Sequence, residues 1–286
     1  MSDDPPPSPV ATRAIRVRMT PLTPREHRVR EGRRRALGDP EAAAERVVVG
    51  TSEEGATVAV LGTSERRATL SVASDAVVPL PDGLAPAVAA ATLDPLLEAL
   101  AVVGALGRLR RSTVLVTDGA TALGRLLVAC AARGGARVTA VLPAASPGPA
   151  TAAALREAGA EEIVDARHTP YAVLPQFDVV LTEVDEPGPL HEHHPLHQAL
   201  AATRRRGTLV PLGAPAPEDA AAKRVRVLPT PPAPTAADLR RAVDALAAGL
   251  VDPLPPRVFP VADRTAAHAA LAADGERRGA VVLAWA

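Results

Sequence analysis

Hydrophobic positions follow two different rhythms along the chain. In the first quarter they come in short alternating or β-branched runs, Ala14–Arg18, Val47–Val49, Thr57–Leu61 and Thr69–Ala73, separated by glycine, serine and glutamate. Strands at that spacing predict a small β-barrel or β-rich domain. Before them, residues 1–12 are proline-rich and lack any period, which predicts a disordered tail. VVPLPDGLAP, Val77–Pro86, then breaks the rhythm with prolines and an Asp-Gly turn, and Ala87–Gly107 continues at helical period, rich in alanine and leucine.

The second rhythm alternates buried strands with helices. Val114–Thr117 is a β-branched run, followed by a turn with Gly119 and Gly124, an apolar helix Arg125–Arg133, a Gly134-Gly135 stop, and a second strand Arg137–Leu142. A further helix ends at Gly159, a third strand ends near Asp165, and Phe177–Val184 and Gly207–Gly213 read as a fourth and fifth. Consecutive strand, helix, strand units require a parallel sheet, so this part predicts a doubly wound α/β layer. In such a sheet ligands bind at the carboxyl ends of the strands, which directs Thr117, Leu142, Val184 and Gly213 to one cleft.

The turn after the first of these strands is the place for a dinucleotide pyrophosphate, because amides at a helix N-terminus attract anions. Against the pattern G-x-G-x-x-G the six residues are Gly119, Ala120, Thr121, Ala122, Leu123 and Gly124. The first glycine permits the tight turn and the last lets helix and strand approach closely. Thr121 stands where the backbone normally comes nearest the phosphates, and it either donates its hydroxyl to one or fills the space one needs.

Net charge is zero over 286 residues, and aromatics are confined to Tyr171, Phe177, Phe259 and Trp285. Both features speak against nucleic acid, which needs a basic field and stacking platforms, and the neutral balance speaks against an acidic membrane surface. Six arginines between Arg25 and Arg35 read as a solvated face, or as a cationic rim for an anionic substrate. The acidic, proline-rich start is unlike a signal peptide, and no apolar run approaches the roughly 18 residues of a membrane span, so a cytoplasmic location is expected. The single cysteine, Cys130, excludes an intrachain disulfide and a cysteine-based zinc site.

Six segments taken in order, VVPLPDGLAPAVAAA, VLVTDGATALG, LREAGAEEIVDAR, FDVVLTEV, RRRGTLVPLG and RVFPVADRTAAHAALAADGERRGAVVL, resemble successive signatures of the zinc-independent medium-chain dehydrogenase/reductase family, of quinone-oxidoreductase or enoyl-reductase type. The resemblance implies a Rossmann domain, residues 91–254, inserted in a shortened GroES-like β-rich catalytic domain, residues 13–90 with 255–286. It also implies an NAD(P)H cofactor in the interdomain cleft, a small-molecule substrate and a homodimer, without a metal. NADP is preferred over NAD, because VLPAASPGPA after the second strand offers Ser146 and no carboxylate for the ribose hydroxyls.

Several positions depart from the family pattern. Asp118 and Thr121 replace glycines of the phosphate turn, Glu98 replaces a threonine near the nicotinamide, and Thr23 replaces an asparagine beside the substrate. The resemblance places His27 and Glu98 as the titratable groups nearest the substrate end of the cleft, so Thr23, His27 and Glu98 are the candidate catalytic residues. The expected function is NAD(P)H-dependent reduction of an enone, a quinone or another carbonyl compound. The alternative is a non-redox descendant, with no cofactor, that binds or converts a biosynthetic intermediate by acid-base or templating chemistry, and a third possibility is a pure interaction module. His191, His193, His194 and His197 give i,i+3 and i,i+4 pairs on an expected helix, a spacing that can hold a divalent ion but lacks a carboxylate base, so no physiological metal is expected.

Overall fold

The structure, a computed structural model, describes residues 11–23, 46–62, 68–142, 149–166, 169, 174–183, 194–212, 217, 219–229, 231–273 and 280–286. Strands β1 (Thr12–Leu22), β2 (Arg46–Ser52), β3 (Thr57–Gly62), β4 (Thr69–Ala73) and β5 (Val78–Pro79) open the chain. In β1 the alternation is legible in the burial: Ile15 and Val17 are wholly buried while Arg13 and Arg16 face solvent. β1 pairs antiparallel with β2 and with β4, and β2 with β3. Gly50 of β2 is needed for that first pairing, since a Cβ there would stand 2.5 Å from the Arg16 carbonyl oxygen.

Helix α1 (Pro86–Leu106) leads to the second sheet. It starts with Pro86 at its first position, where the missing N–H costs nothing, and ends at Gly107 with φ 74°. By length and hydropathy this helix could cross a membrane, but half of its most apolar stretch is buried inside the protein and it carries Asp94 and Glu98.

The second sheet contains β6 (Thr113–Val116), β7 (Arg137–Leu142), β8 (Ala160–Asp165), β9 (Phe177–Glu183), β10 (Thr203–Leu212) and β11 (Arg226–Val227), in the order β11-β10-β9-β6-β7-β8. All of its pairings are parallel. The helices between them are α2 (Ala122–Arg133), α3 (Pro149–Glu157), α4 (Pro195–Ala202) and α5 (Ala220–Lys223), and α6 (Ala236–Ala247) follows. The strand order reverses between β6 and β9, and β6 lies at that switch point.

The chain then returns to the first sheet with β12 (Pro256–Pro260), helix α7 (Arg264–Ala273) and β13 (Ala280–Ala284). β13 pairs antiparallel with β1 and parallel with β12, so the C-terminus completes the sheet that the N-terminus began. Trp285 reaches back to donate its indole N–H to the Thr20 hydroxyl at 3.0 Å. The doubly wound sheet is thus inserted in a β-rich unit, the architecture expected from the order of segments.

One core serves both sheets. Val47, Val49 and Ala59 of the first sheet and Val114, Val116 and Leu181 of the second belong to one buried cluster, bridged by Leu93, Leu96 and Ala99 of α1. Two polar contacts hold α1 there. Thr92 accepts from the Leu254 amide at 3.0 Å, and Asp94 accepts from the Val47 amide at 3.2 Å.

The strands expected at residues 14–18, 47–49 and 57–61 are longer than their alternation suggested, and β11 and β12 were not anticipated. The helix expected to start at Arg125 begins at Ala122.

Candidate functional site

The turn between β6 and α2 lies at the switch point and is built by its two end glycines. The Gly119 amide donates to the Val141 carbonyl at 3.1 Å, and a Cβ on Gly119 would stand 3.1 Å from the Ala140 Cβ, so the turn closes against β7. A Cβ on Gly124 would stand 1.9 Å from the Asp118 carbonyl oxygen. Helix and turn can touch there only because Gly124 has no side chain. Ala120 is buried between these two, and Ala122 and Leu123 form the first helical positions, packed on the shared core.

Thr121 is the N-cap of α2, with extended backbone at φ −72° and ψ 162°. Its hydroxyl oxygen accepts the Gly124 amide at 2.8 Å and stands 2.5 Å from Glu183 Oε1. A threonine carries one hydroxyl proton, and the carboxylate is the stronger acceptor, so Thr121 caps the helix with its lone pair and donates its proton to Glu183. The two alternatives left open for Thr121 meet a third partner, a carboxylate 62 positions along the chain.

A second hydroxyl pair lies under the turn. Thr117 is 2.7 Å from Asp118 Oδ2 and 2.9 Å from the Thr182 hydroxyl, and both threonines are buried. The single Thr117 proton serves the Asp118 carboxylate, which leaves Thr182 to donate to Thr117. Asp118 and Glu183 thus bring two carboxyl groups to the end of a helix that otherwise favours anions. Thr117 was directed to the cleft by its place at a strand end, whereas Glu183 and Thr182 are site residues that the sequence reading did not single out. Their signal was positional, since each stands at the carboxyl end of a central strand.

Leu142 ends β7 and is buried, its carbonyl accepting the Ala166 amide at 2.9 Å. Ser146, Val184 and Gly213, the other expected cofactor contacts, lie outside the described residues, and so do His27, His168 and Tyr171. Thr23 follows β1 and is partly buried, while Glu98 is exposed on α1, one turn beyond Asp94.

The histidine expectation needs correction. His194 is the N-cap of α4, outside the helix, and its Nδ1 accepts the Leu196 amide at 3.2 Å. That nitrogen is thus engaged in capping, and His191 and His193 lie outside the described residues. Among the described residues no group of three or more histidine, cysteine or acidic side chains is placed to hold a metal. Cys130 packs on α2 as a small hydrophobe, and burial pushes its thiol up to about 11 despite the nearby Arg133 charge.

A nicotinamide dinucleotide fits the backbone of this turn: strand, tight glycine, close-packed glycine and helix N-terminus are all in place. The side chains fit less well, since two carboxyl groups stand where a pyrophosphate needs donors.

The fold and this turn define an architecture: a doubly wound parallel sheet, with a glycine turn at its switch point, inserted in a β-rich unit. Residues 158–283 match the zinc-binding dehydrogenase family. The whole chain is similar to the quinone oxidoreductase of Thermus thermophilus, solved also in complex with NADPH, at 27% identity and TM-score 0.72 over 99% of this chain and 95% of that one. It shares its fold with a mycobacterial protein complexed with NADPH, at 22% identity and TM-score 0.76 over 99% and 94%. The same holds for a quinone oxidoreductase of Pseudomonas syringae pv. tomato, at 21% identity and TM-score 0.75 over 99% and 94%. Among curated proteins no match is found. The chain is thus similar over its whole length to a quinone oxidoreductase, and over residues 158–283 to zinc-binding dehydrogenases.

Proposed function

We propose that the protein is an NAD(P)H-dependent, zinc-independent oxidoreductase that reduces an enone, a quinone or another small carbonyl compound. The observation that carries this reading is the contact between Gly124 and the Asp118 carbonyl, which gives the turn the shape of a pyrophosphate cradle. Residues Gly119 to Gly124 and Leu142 would hold the dinucleotide, with Ser146, Val184 and Gly213 along its length. When bound, the cofactor supplies hydride. The chain's part is to orient the substrate and exclude water, with Thr23, His27 and Glu98 at the substrate end as donors or proton carriers. NADP is preferred over NAD for lack of a carboxylate after β7. A homodimer working in the cytoplasm completes the reading.

One observation favours a second reading, a cofactor-free descendant. Thr121 spends its one hydroxyl proton on Glu183, so none is offered to a phosphate.

Titration of the purified protein with NADPH, and NADH in parallel, tests both. The oxidoreductase reading expects micromolar NADPH binding, about 8 kcal/mol. It also expects several-fold tighter binding in Thr121→Gly and Glu183→Gln, each of which frees the turn. Binding only in those variants, with none by the wild type at millimolar nucleotide, identifies the descendant with a decayed site.

A further inference from the structure

The amino ends of the parallel strands, at the opposite edge of the sheet from the nucleotide turn, carry a row of arginines. Arg110 and Arg111 precede β6, and Arg137 opens β7. Arg204, Arg205 and Arg206 lie at the start of β10, and Arg224 and Arg226 stand at the start of β11. All are exposed.

Backbone hydrogen bonds make these one continuous edge. The Arg206 amide donates to the Arg224 carbonyl at 3.1 Å, the Arg111 amide to Gly135 at 2.9 Å, and the Arg137 amide to Ser112 at 2.9 Å. Between the two groups Asp178, at the start of β9, accepts the Thr113 amide at 2.7 Å and pairs with Arg204. Five adjacent strands separated by four gaps give a row of roughly 20 Å. It stops at β8, whose exposed Glu161 and Glu162 have the opposite sign.

Two features distinguish this row from ordinary surface charge. Among the described residues, Arg204 is the one member with an ion pair, so the row repels itself over distances shorter than or near the Debye length. Arg111, Arg206 and Arg224 also have φ of 68°, 65° and 58°, the only positive values among the described residues that are not glycine. Glycine or asparagine suits that conformation better. β10 adds to this: between Thr203 and Thr208 it has three residues more than β9 has between the facing Phe177 and Val179, and the excess is Arg204 to Arg206, thrust beyond the sheet. The backbone therefore gains nothing from arginine at these places, and the use of the side chains lies outside the fold.

The geometry points to a docking surface for an acidic protein segment, laid across the strand ends with its carboxylates on the guanidinium row. At the end of α2, Arg133 Nη2 is spent on the Gly249 carbonyl at 3.2 Å, so this nearby cation is engaged within the fold. Arginine is enriched at protein interfaces, where its planar fork pairs with carboxylates. A bilayer needs several apolar anchors, and nucleic acid needs stacking platforms that this edge lacks.

The test uses the full chain and a fluorescein-labelled polyglutamate peptide of about twenty residues, read by anisotropy at low salt. The expected result is binding that weakens at least tenfold in Arg111→Gly/Arg206→Gly/Arg224→Gly while that triple variant melts no lower than the wild type. A matched control, Arg13→Gly/Arg16→Gly/Arg240→Gly, removes the same charge elsewhere and is expected to bind within twofold of the wild type. Equal losses in both variants, or none in the first, overturn the proposal. So does tighter binding of phosphatidylserine vesicles or duplex DNA than of the peptide, which would assign the edge to a membrane or to nucleic acid.

Discussion

Gly124 carries the tightest constraint on any single residue of the nucleotide turn. A Cβ 1.9 Å from a backbone oxygen cannot be relieved by a rotamer, because neither atom belongs to a flexible side chain. Gly124→Ala therefore pushes α2 off the turn and is expected to cost about 2–3 kcal/mol of stability, read as a fall in the denaturant midpoint. An unchanged midpoint would mean that the helix does not pack on the turn this closely. The two end glycines were legible from spacing alone, since the turn geometry dictates them. The occupation of Thr121 was not, because its partner Glu183 lies on another strand and no local pattern links them. His194 misled for a similar reason: its spacing suits a helix, but Pro195 at the first helical position makes it a cap.

At the scale of elements, the start of β9 is clasped to the start of β6 through Asp178. Its carboxyl is pushed up by burial, but the amide and hydroxyl of Thr113 and the guanidinium of Arg204 outweigh this and hold its pKa below the ordinary aspartate value. A folded pKa below the unfolded one stabilises the protein above the unfolded pKa, near 3.9. That stability disappears as pH falls through the folded value. Thermal melts of the wild type should therefore fall as the pH drops below about 4, and Asp178→Asn should lower the melting temperature at neutral pH and flatten that acid limb. An acid limb of unchanged steepness in the variant would show that the clasp adds nothing. The strands that this clasp joins were readable as β-branched runs. β11 was missed because two residues carry no period, and β12 because prolines at both ends mimic a loop.

For the molecule as a whole, the decisive element is α1, because its apolar residues belong to the one core that both sheets share. The alternation of buried strands and helices made the doubly wound sheet readable. The joining of the sheets was not, since it depends on which faces of an almost uniformly apolar helix meet which strands. The physical consequence is cooperativity. Leu93 is fully buried in the bridge, so Leu93→Ala removes contacts near both sheets and should cost about 2–5 kcal/mol. If the sheets unfold together, calorimetry shows one transition, displaced downward as a unit by roughly 5–10 °C. Two transitions, with only one displaced, would mean that each sheet is stable alone and that α1 belongs energetically to one of them. In the first case NADPH bound at the turn would raise the melting of the first sheet as much as that of the second, by mass action on the single folded state. In the second case the nucleotide would protect only the sheet that holds it, and the β-rich unit could open while the dinucleotide stays bound.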